Sequence, residues 1–184
     1  MAGRRTLRRL GRSLALPSRG RLVPVSPRDL MSEKYPKRKR PARGVKYVEG
    51  QPTVIYDTVC TRSKERWLAN DEIHKAIVEV WSEEATAWLV GRYVIMPDHI
   101  HYFAWATDTN ITYDNWVQFW KSRFSWKHGR AERRLQSDDW DTRMRSLESY
   151  EEKWGYVKRN PQRAGLVSDP DDWPYQGEVH YLEW

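Results

Sequence analysis

Residues 93–105 place the strongest constraint on how this 184-residue chain can fold. Two apolar runs flank the turn-forming sequence Met96-Pro97-Asp98, which predicts two adjacent strands that face each other. The second run opens with His99, Ile100 and His101. Because side chains alternate between the two faces of a strand, His99 and His101 are expected to share one face while Ile100 points into the core.

Two imidazoles side by side on a rigid strand can supply half of a divalent metal site. The alternative is a pair of half-exposed histidines that bind nothing. The chain has a single cysteine, Cys60, which rules out an internal disulfide and a cysteine-based zinc site. That usage fits a reducing, cytoplasmic environment.

Positive charge is concentrated at the start of the chain. Residues 1–49 hold 15 of the 32 Lys and Arg but only 3 of the 25 Asp and Glu, so their net charge is +12 and that of the remainder is −5. This asymmetry predicts a disordered basic arm over residues 1–45, a folded domain over 46–184, and a polyanionic partner such as nucleic acid. The alternatives are a solubilising leader, a transit peptide over residues 1–30, or an extension upstream of a natural start at Met31.

Two further features concern partners. No apolar run approaches the roughly 20 residues of a membrane-spanning helix, so no membrane association is expected. The chain has eleven tryptophans, and some of them should be exposed. Exposed aromatic side chains beside basic residues hold single-stranded nucleic acid by stacking on its bases.

Hydrophobic periodicity predicts the element order strand, helix, strand, strand, helix, strand. The strands are expected at 54–61, 86–96, 99–106 and 139–145, with a bulge at Gly91. The helices are expected to begin at Asn70 or Asp71 and at Thr112, with His74 solvated. This order is that of a ferredoxin-like α+β sandwich, an antiparallel sheet with helices on one face. The residues after 170 are expected to be irregular.

An additional helix is predicted from Ser146 or Leu147 to about Asn160. Its apolar stripe contains Leu147, Tyr150, Trp154 and Val157, and Tyr156 points roughly 90° or more away from that stripe. Asn160, four residues later, neighbours Tyr156 on the helix surface.

Tyr156 and Asn160 could both face the histidine pair, which would give three metal ligands and one nucleophile. The phenol oxygen would then attack a phosphate and form a covalent phosphotyrosine, once a metal or a base has activated it. The alternatives are a surface tyrosine packed against the tail, and an Asn160 that caps a short helical turn closed by Gly165.

Taken together, these segments resemble the REP-associated tyrosine transposases, relatives of the single-tyrosine HUH transposases of insertion sequences. The resemblance is carried by residues 96–101, 120–121, 136–145, 156–167 and 172–175, within residues 50–184. It implies a ferredoxin-like HUH endonuclease fold, with the tyrosine on an added C-terminal helix. The implied activity is cutting and rejoining single-stranded DNA at hairpin-forming REP elements, as in DNA transposition.

By this resemblance His99 and His101 are the HUH metal ligands, Tyr156 is the nucleophile, and Asn160 is the third ligand of a magnesium or manganese ion. The implied setting is the bacterial nucleoid, with the protein either a monomer or a homodimer. Gly155 and Gln162 depart from the family pattern. A domesticated protein that binds hairpin DNA without cutting it, and a structural relic with no ligand, are the alternatives. The basic side chains expected to contact DNA are Lys121, Arg123, Lys127, Arg143, Lys153, Arg159 and Arg163.

Overall fold

The computed structural model describes residues 53–107 and 110–182. The predicted arm over residues 1–45 lies outside the described residues, so the domain boundary stays a prediction. The strands are β1 (Val54–Cys60), β2 (Trp88–Ile95), β3 (His99–Ala106), β4 (Trp140–Arg143) and β5 (Gln176–Glu178). The helices are α1 (Asp71–Glu79), which continues as a wider turn over Val80–Glu84, α2 (Tyr113–His128), α3 (Leu147–Lys158) and the short α4 (Asn160–Arg163).

The five strands form one antiparallel sheet with the order β4-β1-β3-β2-β5. The predicted order of strands and helices up to β4 is the one observed, and the register of β2 against β3 shifts between Val90 and Tyr93, as expected for a bulge at Gly91. The prediction of an irregular tail was wrong, because β5 pairs with the edge of β2. A three-residue strand is too short to show periodicity, and Gly177 in it allows a close approach: a Cβ there would lie 2.9 Å from the Tyr93 hydroxyl.

Helices α1 and α2 cover one face of the sheet. Their predicted caps are confirmed, since Asn70 accepts a hydrogen bond from the Ile73 amide at 3.1 Å and Thr112 accepts one from the Asn115 amide at 3.3 Å. The apolar side chains that recur with the helical period in both helices are buried against Ile55, Ile100 and their neighbours in the sheet. They are Ile73, Ala76, Ile77, Val80 and Trp81 in α1 and its continuation, and Tyr113, Trp116, Val117, Trp120 and Phe124 in α2. His74 was expected to be solvated, but α1 holds it over β2, where its Nε2 lies 2.8 Å from the Tyr93 hydroxyl.

Helix α3 packs on the opposite face of the sheet. Its Tyr150 ring lies 4.5 Å from that of Phe103 on β3, and Val157 is buried in the same cluster. The prediction that Leu147 belongs to the buried stripe was wrong. Leu147 is exposed in the first turn of the helix, beside the capping box formed by Ser146 and Ser149. In the described part of the chain, no helix combines the length and the apolar character that crossing a bilayer requires.

Candidate active site

Strand β3 holds the two histidines side by side on the face that α3 covers. Their ring centroids are 4.7 Å apart, and Ile100 between them is buried in the cluster on the other face, as expected from strand alternation. The Nδ1 atom of His99 lies 2.6 Å from Oδ1 of Asp98. The Nδ1 atom of His101 lies 2.8 Å from the Tyr56 hydroxyl and 2.9 Å from the Thr58 hydroxyl.

The Asp98 carboxylate can only accept, so Nδ1 of His99 donates to it, whereas the two hydroxyls at Nδ1 of His101 can either donate or accept. When Nδ1 of a histidine donates to an oxygen, the lone pair is on Nε2, and an outer hydrogen bond of this kind orients most metal-binding histidines. Burial lowers the pKa of His101 to about 3, with smaller contributions from the neighbouring His99 and from the positive charges of Lys153 and Arg163. His101 is therefore neutral near pH 7, which is the form that binds a metal.

Helix α3 brings Tyr156 to the same face. The Tyr156 side chain is 59% exposed, in agreement with its predicted position off the buried stripe. Lys153, one turn earlier, links it to the histidine site: its Nζ lies 5.9 Å from the Tyr156 ring centroid and 5.1 Å from that of Tyr56, the partner of His101. The Arg163 guanidinium lies 3.7 Å from the Tyr156 ring centroid. Two cations thus lie close to the phenol ring.

Asn160 is the first residue of α4 and its side-chain oxygen accepts a hydrogen bond from Arg163. The alternative role as a helix cap was wrong, since Arg159 occupies the cap position and no side chain caps α4. The turn does close at Gly165, whose φ is +69° and whose amide donates to the Gln162 carbonyl at 2.9 Å. An amide oxygen has two lone pairs, so the bond from Arg163 leaves one for another ligand.

The donor set around the histidine pair suits a metal that accepts mixed ligands. No group of three or more His, Cys, Asp and Glu in the described ranges has metal-binding geometry. An ion here would therefore be held by His99 and His101 with amide or water oxygens. Magnesium prefers an all-oxygen shell, so two imidazoles favour manganese in affinity.

The basic residues predicted to contact DNA fall into two groups. Those on α2 make ion pairs within the chain: Lys121 with Asp139, Arg123 with Glu84, and Lys127 with Glu79 and Glu84. Lys153 and Arg163 instead contact the Tyr156 ring, Arg159 is exposed beside them in sequence, and Arg143 is half-buried on β4. Their DNA contacts stay predictions.

Sequence reasoning missed the residues that support the histidines. Tyr56 and Thr58 are two apart on β1 and face the pair because Thr58 lies opposite His101 in the sheet register. Polar residues at alternate positions of an otherwise apolar strand were the available signal. Lys64 was also missed; its Nζ donates to the sulfur of Cys60 at 3.0 Å, and Cys60 lies opposite His99.

These features define an α+β domain in which one face of a five-stranded antiparallel sheet carries a histidine pair and is covered by a helix with an exposed tyrosine. Its fold is similar to that of a REP-associated tyrosine transposase bound to a REP hairpin, in agreement with the sequence resemblance. That chain is 21% identical, with a TM-score of 0.59 over 72% of this chain and 79% of the other.

A candidate transposase from Deinococcus radiodurans R1 is 14% identical, with a TM-score of 0.42 over 64% of this chain and 95% of the other. Neither a family model nor a curated protein matches the sequence. At these identities the likeness concerns the fold, and the activity has to be argued from the site.

Proposed function

We propose that this protein is a metal-dependent single-stranded DNA endonuclease and strand transferase, related to the REP-associated tyrosine transposases and built on their ferredoxin-like HUH arrangement. The observation that supports it best is the position of Lys153 between the ring of Tyr156 and the ring of Tyr56, which contacts His101. A candidate nucleophile, two cations and a pair of histidine rings therefore lie on one face of the sheet. Each of these groups is one that phosphoryl transfer uses.

In the proposed reaction the phenol oxygen of Tyr156 attacks the phosphorus of a DNA phosphodiester. The phenol loses its proton as the new bond joins the 5′ phosphate to the tyrosine. The bond to the 3′ oxygen breaks, and that oxygen takes up a proton and leaves as a hydroxyl. Attack by another 3′ hydroxyl on the phosphotyrosine reverses these steps and joins a new strand. One phosphodiester is exchanged for another, so joining needs no ATP.

The surrounding residues would hold the phosphate in place for this attack. Lys153 and Arg163 both lie near the phenol ring, where their charges would bind the phosphate and offset the negative charge that develops on it. A bound magnesium or manganese ion, held by His99, His101 and Asn160, would polarise a phosphate oxygen. Tyr56 and Thr58 would keep the His101 ring oriented.

The proposed partner is DNA that forms a hairpin with single-stranded flanks, such as a REP element. The proposed location is the bacterial cytoplasm, in association with the nucleoid. The protein would act as a monomer or as a homodimer.

A second candidate function is the binding of hairpin DNA without cleavage. The observation that favours it is the hydrogen bond from Arg163 to the side-chain oxygen of Asn160, because this oxygen is the proposed third metal ligand. If Arg163 keeps that oxygen from the metal, DNA could bind while the phosphate is not activated. This protein would bind hairpins with or without a divalent ion.

The two functions are separated by comparing cleavage with binding of a labelled hairpin DNA. We expect His99→Ala to abolish manganese-dependent cleavage and to keep most of the binding, because phosphate contacts are spread over many residues. His74→Ala is the matched control, since His74 is also half-buried but contacts Tyr93 instead of the site. Cleavage that survives in His99→Ala, or an intact wild-type protein that binds hairpins and never cuts them, would contradict the proposal.

A further inference from the structure

A second feature suited to nucleic acid lies outside the histidine site, on helix α2. Trp126 is 73% exposed, and the guanidinium of Arg123 lies 5.0 Å from its ring centroid. Phe119, seven residues earlier and therefore on the same side of the helix, is 47% exposed. Leaving two large aromatic rings in water has no benefit for folding, and an exposed indole beside a cation is the arrangement that stacks on unpaired bases.

Trp126 forms one wall of an open groove of about 580 Å³. The groove, called the α2 groove below, lies between α2 and the loop 129–139, and Ser122, Ser125, Trp126, Arg134 and Gln136 are among its lining residues. Its size is within the range of roughly 300–1,000 Å³ that small-molecule sites span, enough for a nucleotide-sized group. Hydroxyl and amide groups in its lining can pair with base edges or phosphate oxygens.

Three basic side chains line the groove, namely Lys121, Arg130 and Arg134, and Arg134 is the one best placed to bind an anion. Its Nε donates to the Ala131 carbonyl at 2.9 Å, which fixes the guanidinium and leaves its terminal N–H groups for another acceptor. No carboxylate of residues 53–107 or 110–182 forms an ion pair with it. Arg134 thus differs from Lys121 and Arg130, which are paired with Asp139 and Glu72. A phosphate is the ligand that a planar guanidinium fits best in such a position.

The groove is joined to the histidine site through the backbone. The Gln136 amide donates to the Cys60 carbonyl at 2.8 Å, and the Arg62 amide donates to the Arg134 carbonyl at 2.8 Å. Cys60 in turn lies opposite His99 in the sheet. The histidines face the side of the sheet that α3 covers, whereas the groove lies against α2 on the other side. A DNA strand that leaves the histidine site would therefore pass around the end of β1 at Cys60 to enter the groove.

From this placement we propose that the α2 groove binds unpaired nucleotides next to the hairpin, with a base stacked on Trp126 and a phosphate on Arg134. The inference rests on the proposed function for the identity of the DNA and adds the site that reads its single-stranded flank. Paired bases in a duplex expose only their edges, so the ring of Trp126 selects single strands.

The test measures binding of the full-length protein to two labelled DNAs, a hairpin with a single-stranded flank and the same hairpin with a blunt end. We expect Trp126→Ala to weaken binding of the flanked hairpin about tenfold and Trp126→Phe to retain most of the wild-type affinity. Neither change should affect binding of the blunt hairpin. Arg134→Gln should weaken binding of the flanked hairpin but not of the blunt one, and should lower the salt dependence of binding to the flanked hairpin. Tyr181→Ala, at a side chain that is 77% exposed, is the control and should bind both DNAs normally.

Normal binding of the flanked hairpin by Trp126→Ala would overturn the inference, as would an equal loss on both DNAs, or a wild type that binds the two DNAs alike. The outcome is distinguishable from a failure of the proposed function. If the wild type cleaves DNA and Trp126→Ala binds the flanked hairpin normally, only the proposed role of the groove is refuted. If the wild type never cleaves DNA but Trp126→Ala loses binding of the flanked hairpin, the role of the groove stands and the nuclease activity is refuted.

Discussion

Removing the Tyr56 hydroxyl should weaken manganese binding at the histidine pair in the absence of any DNA. This hydroxyl is one of two partners of His101 Nδ1, at 2.8 Å. Losing an outer hydrogen bond of a metal-binding histidine lowers affinity by about 10- to 100-fold, or about 1.4 to 2.7 kcal/mol. Thr58 remains at 2.9 Å, so Tyr56→Phe should fall near the lower limit, and Tyr56→Phe combined with Thr58→Val near the upper one.

The measurement is a titration of the apoprotein with manganese, in which the electron paramagnetic resonance signal of the free ion reports how much manganese is unbound. Tyr93→Phe is a closely matched control, because it also removes the hydroxyl of a buried tyrosine that lies 2.8 Å from a histidine nitrogen, but away from the site. Equal manganese affinity in Tyr56→Phe, Tyr93→Phe and the wild type would refute the role of Tyr56. A wild type that binds no manganese would refute the metal site itself.

The remaining predictions concern stability. Burial raises the pKa of Asp57 from 3.8 to about 7. Ionisation of this carboxyl therefore disfavours the folded state. The free energy of unfolding should fall by up to about 4 kcal/mol as pH rises from about 4 to 7. Asp57→Asn should remove this pH dependence, as measured by urea unfolding. Parallel pH profiles of the variant and the wild type would contradict this. In the same assay Gly155→Ala, where a Cβ meets nothing within 4 Å, should stabilise the protein by about 0.5–1 kcal/mol. Gly91→Ala should destabilise it by about 1–3 kcal/mol, because a Cβ there would lie 2.6 Å from Leu182. Equal stability of the two glycine variants would contradict the packing described.

Much of the fold follows from local patterns that the sequence shows directly. Alternation in β3 predicted that His99 and His101 share a face, and the 3.6-residue period predicted both helices over the sheet and the outward position of Tyr156. These features depend on neighbouring residues only, so one sequence suffices to find them. Strand β5 was missed because it exists only through its pairing with β2.

The residues that hold the site's side chains in place were harder to predict, because their contacts depend on the register between distant segments. Tyr56 reaches His101 across 45 residues of sequence, and only the pairing of β1 with β3 makes them neighbours. The partner of Asn160 was also unexpected. A cap was a reasonable interpretation of an asparagine before proline, but the helix starts one residue earlier than that pattern indicates, and Arg163 takes the side-chain oxygen instead.

The central claim is that Tyr156 becomes covalently attached to DNA. The most direct measurement is a denaturing gel of the protein with labelled hairpin DNA and manganese, comparing the wild type with Tyr156→Phe, with Tyr181→Phe as an exposed-tyrosine control and a chelator in parallel. We predict a band at the combined mass of protein and DNA in the wild type and in Tyr181→Phe, and its absence in Tyr156→Phe or with the chelator. An adduct that persists in Tyr156→Phe, or no adduct from a wild type that binds the hairpin tightly, would contradict the account.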